Sequence, residues 1–181
     1  MRRVVTGMTL DGKSVFVSDG DVEPITLALA PGAEWYRIWG SDEAVHLPCD
    51  GSQPAERAYF PDAEGFRFGF FTVPSDVAPP SDLDMDAAMA EVNEKLPGIL
   101  DVGEAEDPEM HTTDTVDYII VLSGEIGLDL DDGQTVQLGA GDCVVQNGTR
   151  HAWRNTSGKP CFMAYAVVGA RRQPNSSRSF Q

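Results

Sequence analysis

The sequence predicts an all-β fold, a sandwich or barrel with a strand extension at its N-terminus and one short helix. Three observations carry this reading. From Val116 onward short apolar–polar alternations follow one another almost without a break, with turn residues roughly every 8 to 12 positions. The only clear helical spacing is confined to a stretch near residues 84–96. No apolar run approaches the roughly 20 residues that span a bilayer.

Composition narrows the partners. At 181 residues the chain holds one domain, or one domain with a sizeable extension, and 41% apolar content argues against disorder. Thirteen Lys and Arg against 29 Asp and Glu give a net charge of −16, which repels phosphate backbones and anionic membranes. A small molecule is therefore the expected partner, with no nucleic acid and no membrane. Cys49, Cys143 and Cys161 form no C-x-x-C pair and read as reduced thiols. The start, Met-Arg-Arg-Val-Val-Thr-Gly, lacks a signal-peptide pattern, so a cytoplasmic location is expected.

In chain order, Val4–Thr6 and Ser14–Ser18 flank Asp11-Gly12-Lys13, a hairpin signal, and Asp19-Gly20-Asp21 is expected to stop the second strand. Thr26–Ala30 is a short apolar run ended by a turn at Pro31-Gly32. Trp35–Trp39 reads as a strand with Trp35, Arg37 and Trp39 on one face. Residues 40–64 are irregular, and Phe66–Val73 is a strand with Phe66, Phe68 and Phe70 on one face. A capping-box-like Ser81-Asp82-Leu83-Asp84 precedes Met85, Met89, Val92 and Leu96, an amphipathic stripe ended by Pro97-Gly98. The acidic run 101–109 is either a solvated connector or a lid over a cavity. Strands follow at 118–122, 126–130, 136–138, 143–146, 151–155 and 161–168. The division expected is an N-terminal β extension over 1–105 with its helix near 84–96, a barrel core over 106–170, and a polar tail over 171–181 that reads as disordered.

Within the core, residues 111, 113, 115 and 117 share a face if extended, as do His151, Trp153 and Asn155. Inward positions of a small barrel line its cavity. His111, Asp117 and His151 would then offer two imidazoles and a carboxylate, a donor set suited to Fe(II), Zn or Mn. The plainer reading of any one strand histidine is a satisfied core residue. His46, near Cys49 in an irregular region, reads as a surface or packed histidine rather than a ligand.

These residues resemble the cupin family. Its first motif, Gly-(x)5-His-x-His-(x)3–4-Glu-(x)6-Gly, falls on His111, Thr113, Asp117 and Gly124. Its second, Gly-(x)5-Pro-x-Gly-(x)2-His-(x)3-Asn, falls on Gly148, His151 and Asn155, with Gln146 where Pro is usual and Gly141 one residue closer than the pattern asks. The resemblance covers about residues 108–168. It implies a jelly-roll barrel, often a homodimer, holding a divalent metal ion (Fe, Mn, Zn or Ni). Two departures bear on the metal. Thr113 replaces a histidine with a weakly ligating hydroxyl, and Asp117 is one methylene shorter than Glu. His111, Asp117 and His151 are the expected catalytic and metal residues, with Thr113, Trp153 and Asn155 lining the substrate.

Two functions remain open on sequence. One is a small-molecule enzyme, an isomerase, dehydratase, decarboxylase or dioxygenase acting on a hydroxylated or aromatic metabolite. It would use either a metal at these three residues or general acid–base chemistry by the same side chains. The other is a non-catalytic barrel that binds a ligand as sensor or carrier, which the Thr113 departure suits.

Overall fold

The computed structural model describes residues 1–75 and 77–173. Eleven strands and one helix are present among them: β1 (Arg2–Met8), β2 (Ser14–Asp21), β3 (Ile25–Leu27), β4 (Ala30–Ser41), β5 (Phe66–Val73), α1 (Met85–Lys95), β6 (Thr115–Ser123), β7 (Glu125–Asp129), β8 (Thr135–Gly139), β9 (Cys143–Gln146), β10 (Ala152–Arg154) and β11 (Cys161–Gly169). A six-stranded sheet in the order β3-β4-β5-β11-β6-β9 and a three-stranded sheet in the order β10-β7-β8 form the jelly roll. β1 and β2 form a separate antiparallel ribbon.

Period-2 alternation builds the core. Ile119 and Val121 of β6, Ile126 of β7, and Cys161, Met163, Tyr165 and Val167 of β11 are buried together. Gly124 makes the tight β6–β7 turn at φ 82°, where a Cβ would come within 2.5 Å of the Pro160 carbonyl oxygen. The six-stranded sheet crosses the division expected at residue 105, because β5 pairs with β4 on one side and with β11 on the other.

Several local expectations are corrected. β2 runs on through Asp19-Gly20-Asp21, since Val4 still pairs with Asp19 and the Arg2 guanidinium holds the Asp19 carboxylate at 2.7 Å. The chain turns at Ala28-Leu29 rather than at Pro31-Gly32, which lie inside β4. Pro31 is tolerated there because pairing with β5 begins only at Glu34, so its missing N–H costs no bond to that strand. A register shift between Arg37 and Trp39 turns Trp39 to the outer face, away from Trp35 and Arg37, and the Arg3 guanidinium sits over its ring at 5.6 Å.

The helix forms where the spacing places it, but its cap and its buried face differ. Asp84, three residues after Ser81, is the N-cap and its carboxylate accepts from the Ala87 N–H. Met85 and Met89 are 51% and 39% exposed, while Ala88, Val92 and Leu96 are buried. Val92 and Leu96 pack with Leu27 of β3, against Trp35 and Tyr59. A small alanine lets the helix approach the sheet closely, which a stripe drawn from large side chains alone overlooks. Of the tail expected to be disordered, Arg171 reaches Glu64 and Arg172 bonds Asp114 and the carbonyls of Thr113 and Gly148. Residues 174–181 of that expectation lie outside the described residues.

Candidate active site

His111 and His151 meet in an isolated antiparallel bridge, each backbone N–H donating to the other's carbonyl at 2.9 and 3.0 Å. Directly opposed residues send their side chains to the same face. The two rings accordingly stand with centroids 4.3 Å apart. His111 Nδ1 lies 2.8 Å from the Glu109 carbonyl oxygen and His151 Nδ1 lies 2.9 Å from that of Thr149. A carbonyl only accepts, so each Nδ1 carries the proton and each Nε2 is left with a free lone pair.

Burial sets the charge state of this pair. Desolvation lowers the pKa of His151 to about 4, with the neighbouring His111 adding to the effect and the bond to Thr149 opposing it. Desolvation also lowers the pKa of His111, against the pull of Asp117. Both imidazoles are neutral bases near pH 7.

Asp117 projects from the middle of β6, between β9 and β11, and is 5% exposed. Its Oδ1 is buried with no hydrogen-bond partner among the described residues. Burial raises its pKa, opposed by the Thr115 hydroxyl and by His111. A buried, unsatisfied carboxyl oxygen costs stability unless something occupies the space in front of it. That space is a cavity of about 290 Å³ lined by His111, Asp117 and His151. Its aromatic wall is Trp35, Tyr59, Phe60, Phe71, Trp153 and Tyr165. Among the described residues no Lys or Arg lines it. Gly69 makes room at the back, since a Cβ there would come within 2.6 Å of the Tyr165 hydroxyl.

The acidic connector closes one side. Ile99, Leu100, Val102 and Pro108 line the cavity. Glu104 is held by Arg150 at 2.6 and 2.7 Å, and Asp107 and Glu109 are held by Arg154. The run 101–109 is thus pinned over the barrel by arginines flanking His151, as the lid reading requires, rather than left as a solvated connector.

The other expected residues are placed differently. Thr113 is buried, but its hydroxyl is bonded to that of Thr115 at 2.7 Å and it lines no part of the cavity. Asn155 spends its amide on the turn that follows. Its nitrogen donates to the Val73 and Lys159 carbonyls, and its oxygen accepts from the Ser157 N–H and hydroxyl. It stands at a neighbouring cavity rather than at the histidines. Trp153 both packs on the core and lines the cavity. His46 and Cys49 are exposed and line neither cavity.

The donor set was expected to hold a metal. Two free Nε2 atoms and a carboxylate are suitable donor types. Yet among the described residues no three His, Cys, Asp or Glu side chains converge closely enough to hold an ion. The Thr113 hydroxyl is already engaged. As arranged, these residues do not fit a three-ligand metal centre.

Tyr59, Phe60 and Tyr165 escaped the sequence reading. Alternation with Met163 and Val167 marks Tyr165 as inward. Tyr59 and Phe60 lie in the irregular 40–64 segment, where no periodicity shows direction.

Residues 98–168 match the cupin domain family model, and this part of the chain is a cupin domain. Phomopsin biosynthesis cluster protein C' of Diaporthe leptostromiformis is 48% identical over 67 residues, 34% of this chain and 35% of that protein. The cupin-domain-containing oxidoreductase srdD of Neurospora crassa is 35% identical over 60 residues, 33% of this chain and 31% of that protein. Each match thus spans about a third of the curated relative. Among solved structures, the polyketide cyclase RemF from Streptomyces resistomycificus superposes with a TM-score of 0.45 at 18% identity, covering 81% of this chain and 73% of that one.

Proposed function

We propose that this chain is a cupin-type enzyme that relocates a proton on a neutral, hydroxylated or aromatic small molecule, by isomerisation or dehydration. The observation that carries this is the unpartnered Oδ1 of Asp117 in a cavity that also holds two neutral imidazoles. Desolvation favours the neutral form of all three groups, which sets unprotonated imidazoles beside a carboxyl group. His111 and His151 have basic lone pairs and no charge to lose, so one Nε2 takes the proton from an acidic C–H or hydroxyl. Burial raises the pKa of Asp117, and in its protonated form it donates that proton to the substrate oxygen as negative charge develops there. Reversing both transfers at different substrate atoms completes an isomerisation. Where the oxygen is instead a hydroxyl on the carbon next to the C–H, the C–H electron pair forms C=C and the C–O bond breaks. The proton from Asp117 completes the departing water, which is a dehydration. The aromatic wall positions a ring and excludes water, and the lack of a lining cation disfavours carboxylate or phosphate substrates. Relatives named for biosynthesis clusters or as cupin-domain oxidoreductases support an enzymatic role in small-molecule metabolism.

Hydrogen–deuterium exchange of 2-tetralone, an aromatic ketone with acidic C–H bonds, tests this in D2O by NMR. The wild-type protein is expected to accelerate exchange, and Asp117→Asn and His151→Gln each to lower the rate by about 10²-fold or more. Equal rates for wild type and both variants would overturn the reading. Binding of the ketone without any exchange would instead favour a carrier or sensor.

A further inference from the structure

A second cavity, of about 760 Å³, adjoins the first. Trp35, Phe71, Val73, Glu109 and Trp153 line both, so one collar of side chains forms the boundary between them. The outer wall comes from Leu29, Ala30 and Ala33 around the start of β4, and from Val77 and Pro79 after β5. Among the described residues Arg154 and Glu109 are its only ionisable lining groups, and they are paired with each other. Arg154 is further engaged by Asp107 and by Asp129 at 3.5 Å. The described residues of the outer chamber therefore offer mostly apolar surface and no uncommitted charge.

The two chambers differ in chemistry. The inner one places its hydrogen-bonding groups against a volume near the small end for ligand pockets. The outer one has more than twice the volume, with no titratable side chain left to act among the described residues. From this we infer that the two form one bipartite site for an uncharged hydroxyaromatic compound bearing an aliphatic chain. The ring and its hydroxyl sit at Asp117, His111 and His151. The chain passes the Trp35–Trp153 collar and lies along Leu29, Ala33 and Val77. This rests on the acid–base reading for the ring end only; the tail chamber stands on its own lining.

A homologous series of 4-methylphenol, 4-butylphenol and 4-octylphenol tests it, each titrated below its aggregation concentration by calorimetry and by quenching of tryptophan fluorescence. Each methylene buried in the outer chamber is expected to tighten binding about three- to fourfold. Val77 is 51% exposed, so Val77→Asp adds charge to the chamber without disturbing a packed core. It is expected to reduce the gain from methyl to octyl by at least tenfold, and Ala33→Leu, which narrows the chamber, to reduce it as well. Asp117→Asn is expected to weaken all three ligands by a similar factor. An octyl chain that binds no tighter than methyl, or a gain untouched by Val77→Asp, would overturn the bipartite site while leaving the acid–base reading standing. A full chain-length gain combined with no effect of Asp117→Asn would overturn the placement of the ring instead.

Discussion

Asp117 and His151 are coupled to stability with opposite signs. His151 has a folded pKa of about 4 against an ordinary value near 6.5, so the unfolded chain binds the proton more readily between those values. The stability it supports is present above pH 6.5 and is lost as the pH falls toward 4, by up to about 3 kcal/mol. Urea unfolding at pH 7 and pH 4.5 is expected to show a larger loss in wild type than in His151→Gln. Asp117 has a raised pKa, so its neutral form suits the fold and stability declines as the pH rises through its folded value. Asp117→Asn is accordingly expected to be at least as stable as wild type at pH 7, as read from its urea midpoint. At this scale the sequence was informative about residue types and less so about contacts. The motif spacing marked His111, Asp117 and His151, which do line one cavity. It marked Thr113 and Asn155 equally, and their hydrogen bonds to Thr115 and to the 155–159 turn depend on partners no spacing reveals.

The strap formed by residues 101–109 and the helix before it decide how the cavity is covered. Arg154 holds Asp107 and Glu109 and also approaches Asp129, so it ties the connector to β10 and β7. Arg154→Ala is expected to cost about 1–2 kcal/mol and to make the connector the first site cut in limited proteolysis. Leu96 is fully buried between helix and sheet, and Leu96→Ala is expected to lower stability by about 2–5 kcal/mol in thermal or urea melts. β6 and β11 were legible because they bury alternate residues on one face, whereas in β5 the Phe66, Phe68 and Phe70 face is the outer one and Arg67 and Gly69 are the buried positions. The helix was legible in position but not in orientation, since its contact depends on the small Ala88. The lid reading turned on two arginines more than forty residues from their partners in the chain.

The outer face of the six-stranded sheet is apolar over most of its width. Tyr118, Ile120, Leu122, Phe68, Val145 and Val168 point away from the core and remain exposed, Tyr118 at 52% and Val145 at 57%. On a chain of net charge −16, an exposed apolar face of this kind is where two like-charged copies can approach. We propose that a second copy covers it, and Tyr118→Lys is expected to shift a dimer to monomer in sedimentation; a monomeric wild type would contradict this. The central claim concerns the cavity inside the barrel, where the side chains themselves provide base and acid. Its most direct test is the 2-tetralone exchange rate of protein stripped with EDTA, with its metal content counted by mass spectrometry. The expected result is a rate equal to that of untreated protein at far less than one metal ion per chain. Exchange abolished by stripping and restored by stoichiometric Fe, Mn, Zn or Ni would contradict it.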